Sequence, residues 1–158
     1  MKEKIFRIIK YAAAAIYAAC MLILLFGRPT AYFSSLSYVE HLRHSTNIVP
    51  FSTIAEYFGY LLDGGYMVRQ AVINLGGNVI MFIPLGFFLA LLWKRLRRFV
   101  PHLVTTAAII TSVELIQLFT LRGSADIDDL LLNVIGSALG YLVYLIASAI
   151  CKRLRHSA

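Results

Sequence analysis

Four long apolar stretches alternate with short polar segments along this chain, and the pattern predicts membrane-spanning helices. The stretches run from about 11 to 26, 72 to 93, 103 to 121 and 127 to 151. Each comes close to or exceeds the ~20 residues that cross the hydrocarbon core of a bilayer. The predicted fold class is therefore an all-α, polytopic membrane protein, with four transmembrane helices in a single domain over residues 1–158.

The first stretch also has the opening of a signal peptide, because residues 1–10, MKEKIFRIIK, are basic. The sequence that follows it, PTAYFSS at 29–35, offers no small-x-small cleavage motif, and Ile8 and Ile9 lengthen the apolar run. We therefore expect a retained first transmembrane helix.

The connection over residues 27–71 is too rich in aromatic and aliphatic residues to be a solvated linker. Apolar residues recur at helical spacing at positions 51, 54, 55, 58, 61 and 62, and polar residues occupy the other side at 52, 56 and 63. This spacing predicts a short amphipathic helix that lies in the membrane interface, in the first extracellular loop.

Composition and charge agree with the membrane assignment. Hydrophobic residues make up 59% of the chain, against roughly 45 to 50% in soluble domains. Lys and Arg number four before the first span, four in 94–101 and three at the C-terminus. The positive-inside rule then places both termini and the 94–101 loop in the cytoplasm. The basic residues form no continuous patch, so nucleic acid is not an expected partner, whereas membrane lipids are.

Nothing in the sequence indicates a metal or cofactor site. Cys20 and Cys151 lie at different depths in the predicted topology and are expected to be free thiols. The four histidines are assigned to loops and chain ends, and the carboxylates form no HExxH-type signature.

Polar residues gather where the third and fourth spans meet, and this junction is the candidate functional site. Ionisable groups at the edge of hydrocarbon are costly, so a cluster of them indicates function. The cluster consists of Glu114, Gln117, Arg122, Asp126, Asp128, Asp129 and Asn133.

Helical spacing places these groups on shared faces. On the fourth helix Asp126, Asp129 and Asn133 align with Gly136 and Gly140, a small-xxx-small pair that permits close helix contact. On the second helix Asn74 and Asn78 lie one turn apart, and the intervening glycines at 76 and 77 are expected to admit a neighbouring backbone. Near mid-membrane, the proline at 84 is expected to kink the second helix and leave carbonyls for neighbours to satisfy.

Structural explanations compete with functional ones. Asp126 suits a helix N-cap, and Asp128 and Asp129 suit the first turn of that helix. The three asparagines at 74, 78 and 133 would also serve as interhelical hydrogen-bonding groups. Arg122 suits an interfacial anchor, although an inward ion pair with Glu114 or Asp129 is the favoured interpretation.

If they are ionised, the four carboxylates and Arg122 leave a formal charge of minus three at the junction. Such a site would hold a hard cation or an ammonium group. Glu114, about 10 Å from the outer end of its helix at 1.5 Å per residue, would alternatively stay protonated and act as an acid. Glu114 and Asp129 are thus the candidate catalytic residues.

Four motifs in this sequence resemble those of the VanZ-like membrane proteins, over residues 47 to 145. They are NIVPF at 47–51, NLGGNVIMFIPLGF at 74–87, VELIQLF at 113–119 and RGSADIDDLLLNVIGSALGY at 122–141. Carried over residue by residue, the resemblance marks Asn47, Pro50, Asn74, Asn78, Pro84, Gly86, Glu114, Gln117, Arg122, Asp126, Asp129, Asn133 and Gly136.

The resemblance implies a bacterial plasma-membrane protein that lowers susceptibility to teicoplanin-type glycopeptides, or one with a related envelope role. A glycopeptide or a lipid-linked cell-wall precursor is then the expected partner. The residues leave two alternatives open, namely a membrane enzyme that uses Glu114 and the Asp cluster on a lipid or wall precursor, and a small transporter or helix-packing scaffold.

Overall fold

The computed structural model describes residues 2–27 and 37–156, and it confirms the all-α fold. The sequence PTAYFSS at 29–35, on which the retained first helix was argued, lies outside the described residues. Within them the helices are α1 (Lys2–Phe26), α2 (Tyr38–His44), α3 (Ser52–Asp63), α4 (Val68–Leu92), α5 (Phe99–Phe119) and α6 (Ile127–His156), and a 3₁₀ turn (Lys94–Arg97) joins α4 to α5.

Four of these helices, α1, α4, α5 and α6, are long and apolar enough to cross a membrane. They are the four predicted spans. The helices α4 and α6 extend up to five residues beyond the predicted apolar stretches, and α1 extends further. The apolar side chains on their outer faces are exposed, for example Ile23 and Ile80. Such exposure is expected of helices whose outer faces contact lipid.

The second and fourth spans, α4 and α6, form the most extensive helix pair in the bundle. A Cβ added at Gly136 or Gly140 would collide with the α4 carbonyl oxygen of Val79 or Ile83, and one added at Gly86 would collide with the α6 carbonyl of Ser137. The two backbones are therefore in direct contact, as the small-xxx-small pair predicted.

The paired glycines of α4, Gly76 and Gly77, are not in close contact with a neighbouring backbone, contrary to the prediction. A Cβ at Gly76 or Gly77 would meet no atom within 4 Å. The prediction that a neighbouring backbone approaches there is wrong, because the close contact with α6 lies further along α4, at Gly86 and opposite Gly136 and Gly140.

One carbonyl in the turn before Pro84, that of Met81, accepts a hydrogen bond from a neighbouring helix. The helix continues through the proline to Leu92, and the hydroxyl of Tyr17 on α1 donates to the carbonyl of Met81 at 2.8 Å. The contact of α1 with the bundle also includes Met21, which packs with Phe82 and Ile110 in a small apolar core.

His102 is not in a loop, as the sequence reading assigned it, because α5 begins at Phe99. Its side chain is completely buried, and Nε2 lies 3.2 Å from Oγ of Ser137. The Thr106 hydroxyl lies 3.0 Å from the same oxygen. This buried polar cluster joins α5 to α6 on the side of the bundle that carries the basic segments.

The connection between α1 and α4 folds over one end of the bundle, which we call the loop end. It contains α2, α3 and the short strand β1 (Thr46–Asn47), which pairs in parallel with β2 (Ala125–Asp126) just before α6. Ser37 and Glu40 form a capping box at the start of α2. The backbone N–H of Ser37 donates to Glu40 and lowers the pKa of that carboxyl.

The predicted amphipathic helix is present as α3, and its apolar residues Phe58 and Leu62 are exposed. The two-residue strand pair was not anticipated. Strands of two residues leave no period-2 pattern that a sequence reading could detect. Cys20 and Cys151 are free thiols in the described residues, as expected.

Substitution of the contact glycines tests the α4–α6 packing. Gly136→Ala and Gly140→Ala should each lower the free energy of unfolding by about 1–3 kcal/mol or more, since a backbone carbonyl cannot move aside as a side chain can. Thermal unfolding in detergent, followed by size exclusion, measures the loss. Gly76→Ala is the matched control and should be neutral or slightly stabilising, because alanine favours helix by about 1 kcal/mol over glycine. Equal behaviour of the three variants would contradict the close contact.

Candidate functional site

The polar residues that the sequence grouped together separate into two structures at the loop end. Three of them, Asn47, Asp126 and Asp128, join the connection to the start of α6. We call this group, together with Thr53, the clasp. The others line a cavity between the transmembrane helices.

Asp128 of the clasp caps α3 from a distant part of the chain. Its Oδ1 accepts from the backbone N–H of Phe51 at 2.6 Å, and Oδ2 accepts from Thr53 at 2.8 Å and Ile54 at 3.0 Å. The side chain is completely buried. Asp128 does lie in the first turn of α6, but its carboxylate satisfies the free N–H groups at the start of α3.

Asp126 is the N-cap of α6, as the structural explanation proposed. Its Oδ1 accepts from the backbone N–H of Asp128 at 2.8 Å. Its Oδ2 accepts from the Thr53 hydroxyl at 2.6 Å and from Nδ2 of Asn47 at 3.3 Å. Both clasp carboxylates are thus fully engaged in holding the connection, and neither is left for a ligand.

Backbone strain marks the same place. Phe51 has a φ of 65°, in the left-handed region that bulky residues rarely adopt. Such a conformation costs about 1–3 kcal/mol and persists where surrounding contacts impose it. The backbone N–H of this same residue donates to Asp128.

The cavity has a volume of about 660 Å³ and lies at the loop end between α1, α4, α5 and α6. Its volume is in the range of small-molecule sites, about 300–1,000 Å³. Seven of the predicted site residues line it, namely Asn74, Asn78, Glu114, Gln117, Arg122, Asp129 and Asn133. Tyr57 of α3 and Gln70 of α4 also line it. Sequence reasoning missed Gln70, although it lies one turn before Asn74 on the same face, because the predicted span began only at about residue 72. Tyr57 belongs to α3, which nothing in the sequence placed beside the cavity.

Two carboxylates face this cavity from different helices. Asp129 of α6 accepts from Nδ2 of Asn78 on α4 at 2.5 Å. Glu114 of α5 is 9% exposed, and its Oε1 has no hydrogen-bond partner. The side-chain oxygens Oδ1 of Asn74 and of Asn133 are also buried without a partner. Buried acceptors of this kind are rare in proteins and mark sites that a ligand or water completes.

Arg122 does not form the expected ion pair. Its contact within the described residues is a hydrogen bond from Nη1 to the carbonyl of Phe26, at the end of α1, and the side chain is exposed at the loop end. Nearby, Nε2 of Gln117 donates to the carbonyl of Leu25 at 2.9 Å. Both side chains reach the last carbonyls of α1, which have no partners within that helix, so Arg122 anchors α1 and leaves Glu114 and Asp129 without a salt bridge to it.

Comparison with known proteins shows the family of the chain. The VanZ/LLP1 family model matches residues 14–148. This chain belongs to the VanZ/LLP1 family. It is also similar to Protein VanZ of Enterococcus faecium, with 28% identity over 112 residues, which are 71% of this chain and 60% of that protein. The chain therefore aligns with less than two thirds of that relative. No solved structure matches the chain.

Within this VanZ/LLP1 chain, the four motifs meet at one end of the bundle. The NIVPF motif supplies Asn47 and Phe51 to the clasp, and the acidic motif supplies its two aspartates. The other motifs supply Asn78 and Glu114 to the cavity. Motifs far apart in sequence are thus parts of a single structure, in which the clasp holds the connection beside the cavity.

Removal of the Asp128 acceptors tests the clasp. Asp128→Ala should lower the free energy of unfolding by more than about 2 kcal/mol, since hydrogen bonds to a charged group contribute about 1.5–3 kcal/mol each. Asp128→Asn should also destabilise, because the amide keeps one acceptor oxygen and its NH₂ group then faces at least one of the three N–H donors. Thermal unfolding in detergent measures both. Asp63→Asn changes an exposed carboxylate at the other end of α3 and should have no effect. Unchanged stability of both Asp128 variants would show that α3 does not depend on this cap.

Proposed function

We propose that this VanZ/LLP1 membrane protein lowers the susceptibility of bacterial cells to teicoplanin-type glycopeptides, and that its cavity is the part that meets the ligand. The observation that supports the proposal is the contrast between the two polar groups. Every carboxylate in the clasp is satisfied by the fold, whereas three residues that line the cavity, Asn74, Glu114 and Asn133, each carry a buried oxygen without a partner.

The proposed orientation places the cavity outside the cell. The segments rich in Lys and Arg, at 1–10, at 94–101 and at the C-terminus, all belong to the end of the bundle opposite the loop end. By the positive-inside rule that end faces the cytoplasm. The cavity then opens toward the outer leaflet, where glycopeptides and lipid-linked wall precursors are encountered.

Cysteine labelling tests this orientation. In a background that lacks Cys20 and Cys151, Ser124→Cys should react with an impermeant maleimide in intact cells, because Ser124 is exposed at the loop end. Arg95→Cys, exposed in the opposite loop, should react only after the cells are permeabilised. The reverse pattern would place the cavity in the cytoplasm and contradict the proposal.

Susceptibility of cells that express cavity variants tests the role of the site. Glu114→Gln and Asn133→Leu should bring teicoplanin susceptibility back to the level of cells without the protein, at wild-type expression, because both change the unsatisfied acceptors. Ser112→Ala is the control. It lies on α5 near Glu114 and is exposed, and its hydroxyl donates to the carbonyl of Ala108 one turn earlier on the same helix. Full resistance in both cavity variants would contradict a role for the cavity.

A membrane enzyme is the second candidate, and the pair of cavity carboxylates favours it. Asp129 is held by Asn78, whereas Glu114 Oε1 has no partner, an asymmetry that suits one ionised group and one proton donor. Mass spectrometry of lipids and wall precursors separates the two candidates. A covalent product that disappears in Glu114→Gln would support the enzyme, and unchanged lipids and precursors in resistant cells would support the binding protein.

A further inference from the structure

An apolar groove of about 360 Å³ lies beside the cavity, along α1, α4 and α5. Leu25 and Phe82 line both the cavity and the groove, so the two adjoin at these side chains. At its far end the groove is lined by Leu92 and Trp93, next to the basic loop.

Hydrocarbon is the only chemistry that suits the groove. Its lining residues are aliphatic, aromatic or methionine, and the one hydroxyl among them, that of Tyr17, is already bonded to the Met81 carbonyl. From Phe82 to Trp93 the α4 side of the groove extends about 16 Å, at 1.5 Å per residue. This is about half of the ~30 Å hydrocarbon core, the length of one extended lipid chain.

A ligand with hydrogen-bond donors and a positive charge suits the cavity. Its unpartnered buried atoms, Asn74 Oδ1, Glu114 Oε1 and Asn133 Oδ1, are all acceptors. Its described charged groups are the carboxylates of Glu114 and Asp129 and, where the chain turns between α5 and α6, the Arg122 guanidinium. A primary ammonium group carries one positive charge and three N–H donors, so it matches the two carboxylates that line the cavity.

We infer that the cavity and the groove together bind a single-chain amphiphile with a primary ammonium headgroup, the ammonium between the cavity carboxylates and the chain along α4 toward Trp93. The inference rests on the proposed function, because it names the ligand class of that same site. The groove opens to lipid along its length, which lets an amphiphile enter sideways from the bilayer.

Fluorescence of Trp93 reports binding directly, because it is the only tryptophan in the chain and lines the groove. The protein is purified into phosphatidylcholine nanodiscs and titrated with a long-chain primary amine that carries bromine atoms on its chain. The expected result is saturable quenching of Trp93. The same brominated chain with a trimethylammonium headgroup has the charge but no N–H donors, and should bind at least tenfold more weakly, a difference of about 1.4 kcal/mol.

Variants separate the two halves of the site. Glu114→Gln should weaken binding of the amine at least tenfold and weaken binding of the trimethylammonium compound less, because that compound loses a charge interaction but has no N–H donor to lose a hydrogen bond. Ala18→Phe should weaken both compounds, because Ala18 lines the groove and the larger side chain fills it. Ala19→Phe is the matched control, since Ala19 is exposed on α1 and lines neither the groove nor the cavity. Ethanolamine, which has no chain, should not compete at the concentrations where the amine saturates.

The outcomes distinguish this inference from the proposed function. Equal quenching by both headgroups, or quenching that no variant alters, would indicate partition into the bilayer and would overturn the inference. If cavity variants abolish teicoplanin resistance but the amine does not bind, the proposed function stands and the ligand class is wrong. If the amine binds as described and resistance does not depend on Glu114, the ligand class stands and the proposed function is wrong.

Discussion

The rest of this structure depends on the direct backbone contact between α4 and α6. In lipid, apolar side chains gain little by leaving one hydrocarbon environment for another, so helix association relies on close packing and polar contacts. Gly86, Gly136 and Gly140 permit that packing by leaving room for carbonyl groups of the opposite helix. The same approach brings Asn78 of α4 within 2.5 Å of Asp129 on α6, so the packing contact also builds one wall of the cavity.

The carboxylates at the loop end divide into two roles according to whether the fold satisfies them. Asp126 and Asp128 accept backbone and side-chain hydrogen bonds that hold the connection on the bundle. Glu114 retains an oxygen without a partner beside the cavity. A buried polar group without a partner costs about 1–3 kcal/mol, and this contrast with the satisfied clasp carboxylates is the reason the proposed ligand site is placed at Glu114.

The α1 helix closes one side of both the cavity and the groove, and its attachment is polar at the loop end. Gln117 and Arg122 donate to the carbonyls of Leu25 and Phe26, and Tyr17 donates to Met81 deeper in the bundle. Hydrogen bonds in the membrane contribute about 0.6 kcal/mol on average. The α1 helix is therefore held to the bundle less tightly than α4 and α6 are held to each other.

The sequence by itself determined the four spans, the short amphipathic helix and the glycines of α6 that contact α4. These features follow from the length of apolar stretches and from helical periodicity, which are local properties of the chain. It also indicated the end of the bundle where polar groups gather. The tertiary structure alone decided which of those groups are structural. Asp128 caps α3, where its partner Thr53 is 75 residues away in sequence. Arg122 bonds to the end of α1 and not to the carboxylates. Partners so distant in sequence leave no local spacing to read, since only the packing of the helices brings them together.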